Sequence, residues 1–303
     1  MKNLEPMYSY PIVENDGWKN LTGALPVEMT NDYLFRALLQ SDNETLKALL
    51  ASVLRMDISD IESARITNEI PLGSHVDSKE FIMDVNVGLN DRANINLEMQ
   101  VIKETWWSDR SLSYICRSFD NLNKGAPYDM AKPVRQVAFC DFTLFNEAPE
   151  FYAVYKVLNE KHPEVVYSDK LIITNIDLNR IDLATDEDRF YKTDEWARFF
   201  KAETWEDMKM LAERNTTMNR AISGIWQLTD DDIIREQCRA REEWIINDNR
   251  KTEIIAEQDA EIKKKDAEID KKDAEIEQKD AEIEQKDAEI KRLKMELVAK
   301  KGN

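Results

Sequence analysis

Asp84, Glu98 and Gln100 sit in two short stretches that otherwise alternate apolar and polar residues. In KEFIMDVNVGL, residues 79–89, Phe81, Met83, Val85 and Val87 fall on one face of a strand and Ile82, Asp84 and Asn86 on the other. In NINLEMQV, residues 94–101, Ile95, Leu97, Met99 and Val101 oppose Asn96, Glu98 and Gln100. Two carboxylates, each beside an amide, make an oxygen-rich pocket that suits a hard divalent ion such as Mg²⁺ or Mn²⁺. An ion held this way lowers the pKa of a bound water and stabilises charge building on a phosphate, which is phosphodiester chemistry. Histidine chemistry is a poor fit, because the chain has only His75 and His162, with no Cys-x-x-Cys near either. Catalysis in this chain must rest on carboxylates.

Between the two stretches lies the polar turn Asn90-Asp91-Arg92-Ala93, so an antiparallel hairpin is the economical connection. Centred on Asp91, it pairs Met83 with Met99, Val85 with Leu97 and Val87 with Ile95, and it sets Asp84 opposite Glu98. A slip of one residue sets apolar against polar, whereas a slip of two keeps the faces matched and puts Asp84 opposite Gln100. Taken alone, Asp-x13-Glu-x-Gln is a weak motif, since acidic residues on the open face of a hairpin commonly just face solvent.

The elements around the hairpin follow from periodicity. Residues 1–26 hold prolines and turn formers without a sustained period and form an irregular arm. Thr30 and Asn31 cap a helix whose leucines recur at three-to-four spacing from Leu34 to Leu54, broken around Ser41-Asp42-Asn43. Arg110 to Lys124 forms a helix closed by Gly125, with Leu112, Ile115, Cys116, Phe119 and Leu122 along one side. Val134 to Phe145 is a largely continuous apolar run suited to a central strand covered on both faces, and Lys170 to Leu178 is a further strand. From residue 186 to 249 the pattern is helical again, with Trp196, Phe199, Phe200, Met208, Leu211, Ile222, Ile225 and Trp226 as packing positions; the pattern does not decide whether this segment closes over the sheet or forms a subdomain. Trp106 and Trp107 cover an exposed edge, with stacking on bases as the lesser alternative, and Tyr114 and Tyr128 pack into the core.

With 42% hydrophobic residues, seven Trp and only seven Gly, the 303-residue chain has material for a large core built of long regular elements. The net charge is −18; residues 250–303 carry 14 Lys/Arg and 16 Asp/Glu, leaving 28 against 44 in the preceding 249. An acidic body argues against strong non-specific binding to DNA through its phosphates. The opening residues show no secretory signal pattern and no apolar run spans a bilayer, so a cytoplasmic protein with no membrane partner is expected. Cys116, Cys140 and Cys238 are expected as reduced thiols.

Over most of residues 28–245 the chain resembles the recombination-promoting nucleases, also described as putative transposases, of the PD-(D/E)XK nuclease superfamily in bacteria. The resemblance runs in order through Asn-Asp-Tyr-Leu-Phe-Arg (31–36), Phe-Ile-Met-Asp-Val-Asn-Val (81–87) and Ile-Asn-Leu-Glu-Met-Gln (95–100), then Arg110, Tyr114, Gly125, Tyr128, Pro133 and Val137 to Phe145. It implies an α/β fold with a restriction-endonuclease-like core, a mixed central sheet of about four strands flanked by helices, ordered helix, three strands, helix, strand. It implies a metal-dependent DNA endonuclease linked to recombination or mobile elements, with Asp84 and Glu98 as metal ligands, Asp32 as an accessory metal-binding acid, and Gln100 where the wider superfamily has lysine; Asp32 reads equally as a capping or first-turn acid at the positive end of the first helix. An amide cannot supply lysine's charge, and Lys103 and Arg110 are the nearest cations in sequence. The alternative is a catalytically inactive nuclease fold that binds or scaffolds through its tail.

The resulting organisation is an arm (1–26), a nuclease-like domain (27–185), a helical segment (186–249) and a charged heptad helix (250–303). In the last, Ile255, Ile262, Ile269, Ile276, Ile283, Ile290 and Leu297 lie seven apart. With isoleucine at a, most d positions are lysine (Lys265, Lys272, Lys279, Lys286), which is half a coiled-coil seam. A weak coiled coil joining identical chains and a solvated single helix both remain open.

Overall fold

The computed structural model describes residues 10–72, 84–104, 106–120, 122, 125 and 127–301. Phe81 to Met83, which open the first strand of the expected hairpin, lie outside the described residues, as does His75. In chain order the elements are α1 (Asp32–Ser41), α2 (Asn43–Leu54), β1 (Ala64–Ile66), β2 (Val85–Leu89), β3 (Ala93–Gln100), α3 (Trp107–Phe119) and β4 (Val134–Cys140). There follow β5 (Tyr152–Leu158), β6 (Val166–Asp177), α4 (Asp186–Phe190), α5 (Thr193–Phe200), α6 (Trp205–Arg214), α7 (Thr216–Asp230) and α8 (Asp232–Lys301).

Among the described residues the strands form one mixed six-stranded sheet in the order β1-β2-β3-β4-β6-β5. The expected run of helix, three strands, helix, strand is present; β6 takes in the further strand expected at Lys170 to Leu178, and β5 is additional. β2 and β3 pair antiparallel with Val85 opposite Leu97 and Val87 opposite Ile95, the Asp91-centred register. The turn holds because Asn90 and Asp91 adopt φ of 52° and 54°, a left-handed conformation that Asn and Asp tolerate better than other side chains. β4 lies between β3 and β6, parallel to both, as its apolar composition requires. It ends at Cys140, short of the anticipated Phe145, and Phe142 turns to pack with Trp107, Ala138 and Cys140.

One face of the sheet carries Val85, Val87, Ile95, Leu97, Met99, Val137, Phe139 and Ile176 into the main core. There Phe139 meets Phe35 of α1 and Phe200 of α5 edge-on, at centroid distances of 5.9 and 4.9 Å. The helices after residue 186 therefore close over the sheet. Asn31 caps α1 by accepting from the backbone N–H groups of Tyr33 and Leu34. Asp42 breaks the leucine-rich run with extended backbone, caps α2, and is gripped by Arg220 of α7 at 2.6 Å. The arm is irregular from Tyr10 onward yet packed: Trp18 is buried, and Ser223 and Gln227 of α7 donate to the carbonyls of Asn15 and Val13.

α3 begins at Trp107 and ends at Phe119, earlier at both ends than its periodicity predicts. Its buried stripe is Trp107, Ser111 and Ile115, spaced four apart, so Leu112 and Cys116 point outward. Tyr114 and Tyr128, expected in the core, are 39% and 90% exposed. All three cysteines are free thiols. The chain divides into a compact unit ending at Trp244 and a second unit, Ile245–Asn303, whose described residues are the rest of α8. α8 runs without a break at residue 250; Ile234 and Cys238 are buried in the first unit, while Ile255, Ile262, Ile269, Ile276, Ile283 and Ile290 are exposed. No helix among the described residues is long and apolar enough to cross a membrane.

Candidate active site

The face of the sheet opposite the main core carries Asp84, Asn86, Asn96, Glu98 and Gln100 from the hairpin, and Gln136, Ala138 and Cys140 from β4. Extending the observed register by one residue sets Asp84 opposite Glu98. The side chain of Asp84 turns to this face, because its Oδ2 accepts from Asn96 Nδ2 at 2.6 Å and Asn96 lies two residues before Glu98. The same amide nitrogen donates to Asn86 Oδ1 at 2.8 Å.

The backbone of Asp84 is held from behind. Its carbonyl accepts from Arg36 Nη1 at 2.5 Å and from Asn68 Nδ2 at 2.9 Å, and Arg36 also donates to the Asn68 carbonyl. Arg36 is completely buried in α1; burial draws its pKa down, while the charges of Asp84 and Glu69 oppose that shift. Asn68 Oδ1 accepts from the Asn86 N–H at 2.9 Å, so β2 is fastened at the point where Asp84 leaves it.

Glu98 is 5% exposed, and burial pushes its pKa up to about 7. Arg110 of α3 opposes the shift from 3.3 Å, whereas the charges of Asp84, Asp32 and Glu104 add to it. The other oxygen of Glu98 accepts from Gln136 Nε2 at 3.4 Å. Arg110 also pairs with Glu104 at 3.2 Å, and its guanidinium lies over the rings of Trp107 and Tyr114 at 5.6 and 5.4 Å. Trp107 is itself buried against Ala138 and Cys140, so α3 brings this cation to the carboxylate by packing on β4. Burial, with Glu98 and Asp177 nearby, pushes the Cys140 thiol up, which leaves it protonated and poorly nucleophilic.

The structure thus brings Asp84 and Glu98 together, with Gln100 on the same face, buried and donating to the Ile102 carbonyl at 2.9 Å. Of the two nearby cations, Arg110 reaches Glu98, whereas Lys103 donates to the Thr143 carbonyl at 2.6 Å. Asp32, expected as an accessory metal-binding acid, has both oxygens on Arg241 of α8, at 2.6 to 2.9 Å. Among the described residues no three His, Cys, Asp or Glu side chains cluster as a metal site. Three residues escaped the sequence reading as site neighbours: Arg36, Asn68 and Gln136. Arg36 and Gln136 each interrupt an apolar run, and that interruption was the available signal; Asn68 had none.

The donor set fits a hard divalent ion. It consists of oxygens, two of them carboxylates, and two buried amide oxygens beside them, Asn96 Oδ1 and Gln136 Oε1, lack any hydrogen-bond partner. A mixed six-stranded sheet flanked by helices, with a long C-terminal helix, is a PD-(D/E)XK-like α/β fold. The chain belongs to the PD-(D/E)XK nuclease family transposases, whose family model matches residues 29–254. Nucleases of this kind generally use divalent metals. No curated protein and no solved structure matches the chain.

Proposed function

We propose that the protein is a metal-dependent DNA endonuclease that hydrolyses phosphodiester bonds, using Mg²⁺ or Mn²⁺ held by Asp84 and Glu98, in recombination or mobile-element movement. The observation that carries this reading is the placement of the two carboxylates on one polar face, where Asn96 holds the Asp84 side chain and the Asp84 charge acts on Glu98. A divalent ion bound there supplies a Lewis acid that stabilises charge building on the scissile phosphate.

The remaining work falls to the chain's own groups. Arg36 and Asn68 fix the Asp84 backbone, and Gln136 and Arg110 fix the two oxygens of Glu98. Arg110 offers the fixed positive charge that Gln100 cannot, with its planar guanidinium suited to a phosphate oxygen. Gln100 contributes a buried amide on the same face, and Asp32, paired with Arg241, anchors the start of α1 to α8. The acidic body gives low non-specific affinity for DNA, so assembly of chains through residues 250–303 supplies the avidity, with the exposed isoleucine stripe as the contact.

The test is a plasmid-nicking assay with Mg²⁺ or Mn²⁺. Wild type nicks DNA, chelation stops it, and Asp84→Ala or Glu98→Ala lowers the rate by about a thousandfold or more. Equal nicking by either variant would assign the activity to a contaminant and leave the inactive scaffold as the better account.

A further inference from the structure

Two buried amides on the candidate site face have each donated their N–H to one of the two carboxylates and kept an oxygen that nothing meets. Asn96 Nδ2 donates to Asp84 Oδ2 at 2.6 Å, and Gln136 Nε2 donates to Glu98 Oε2 at 3.4 Å. Asn96 and Gln136 face each other at paired positions of the parallel strands β3 and β4, 8% and 1% exposed. Their oxygens, Oδ1 and Oε1, have no partner. The orientation of each amide is set by its carboxylate, since a reversed amide would point oxygen at oxygen. The free oxygen shares a carbon with the donating nitrogen, so it stays within about 6 Å of the carboxylate oxygen that nitrogen meets. A buried acceptor with no donor is destabilising and rare in folded proteins, and two of them side by side next to two carboxylates call for a cation.

We propose that Asn96 and Gln136 are ligands in the ion-binding shell, so that a divalent cation between the strands is held by two carboxylates and two neutral amide oxygens. The inference rests on Asp84 and Glu98 forming an ion site and adds to it the residues that complete the shell. Amide carbonyls are ordinary ligands of hard divalent ions, and they raise the oxygen count without adding negative charge to a buried site. The charges balance: two carboxylates match the ion, and Glu104 offsets Arg110. The shell also explains why the site contains no third acidic ligand among the described residues. Asn175 and Asn219 also carry unpartnered amide oxygens; Asn175 lies on the same face but on β6, two strands from Glu98 with Ala138 between them, where it borders a small cavity lined by Cys140, Phe142, Tyr155 and Asp177.

The experiment measures Mn²⁺ binding to the full-length protein by the loss of the free-ion paramagnetic resonance signal, together with the melting temperature with and without Mn²⁺. Gln136→Leu keeps the size and removes the oxygen, and it is expected to raise the Mn²⁺ dissociation constant by about tenfold. Gln136→Glu places a charged oxygen at the same point; it lowers the ion-free melting temperature and enlarges the Mn²⁺-induced rise beyond that of wild type. Asn96→Leu weakens binding further, because it also releases Asp84. If Gln136 only packs, both of its variants shift the ion-free melting temperature and keep the wild-type dissociation constant and Mn²⁺-induced rise; that result overturns the proposal. Should Gln136→Leu fail to fold, a Gln136→Glu protein with no enlarged rise overturns it equally. Wild type that binds Mn²⁺ through Asp84, with unchanged binding in the Gln136 variants, removes this inference alone, whereas wild type that binds no Mn²⁺ removes the ion site and the inference together.

Discussion

The two faces of the sheet obey opposite rules although they are made of the same strands. On the core face, Leu97, Met99, Val137, Phe139 and Ile176 are buried among Phe35, Phe200 and other apolar side chains, and each gains by leaving water. One pleat away, Glu98 is as buried as its neighbours, but its charge is opposed by that burial and its partners are a guanidinium and an amide. Adjacent residues of one strand thus serve stability and, on the proposed function, chemistry separately, because successive side chains point to opposite sides. The difference teaches that the two properties should respond to different substitutions, and that the polar face carries a cost which the core face offsets.

Breaking the core face should give the largest change in stability. Phe139→Ala removes the ring that touches both Phe35 and Phe200 and is expected to cost about 3–5 kcal/mol, read from urea unfolding. A loss below about 1 kcal/mol would mean that the aromatic cluster is not what holds the helices to the sheet.

Neutralising the polar face should act in the reverse direction. Glu98 keeps its proton up to about pH 7 in the fold, against an ordinary value of 4.5. Between those values the unfolded chain has released a proton that the folded chain retains, so stability of the ion-free protein falls as pH rises through that window and stays low above it. Glu98→Gln lacks this titration. At pH 8 it is expected to be more stable than wild type by on the order of 1–3 kcal/mol, while nicking is lost. In wild type, Mn²⁺ affinity should rise with pH up to about 8, because the ion competes with the proton on Glu98. A Glu98→Gln protein with the same pH-dependence of unfolding as wild type would place the titration on another group.

The smallest effect is expected where neither rule applies. In α8 beyond the compact unit, polar residues surround isoleucines that are all about half exposed, so deleting residues 250–303 should alter the unfolding free energy of the body by less than about 0.5 kcal/mol. The same deletion should lower the mass measured by light scattering from that of an assembly to that of a single truncated chain. A fall no larger than the mass of the deleted residues leaves the tail a single solvated helix, in keeping with lysine at most of its d positions.

Much of the site was legible because it rests on parity and one turn. The alternation in residues 84–89 and 93–100, with Asn90 and Asp91 able to take left-handed backbone, admits few registers, and the observed one is that centred on Asp91. The heptads likewise announce a helix by composition alone. α3 was harder: its apolar residues offer two competing stripes, and only the seat of Trp107 on Ala138 and Cys140 selects Trp107-Ser111-Ile115 over Leu112-Cys116-Phe119. β5 escaped notice because most of it is exposed on both faces, which leaves no clean alternation to detect.

Local pattern was therefore enough to assign Asp84 and Glu98 to a common face, since a strand's period of two depends only on the order of residues within it. It could not say what surrounds them. Arg110 against Glu98, Gln136 beside it, Arg36 behind Asp84 and Arg241 on Asp32 join segments up to 209 residues apart, and only the packing of helices onto the sheet brings them within hydrogen-bonding distance.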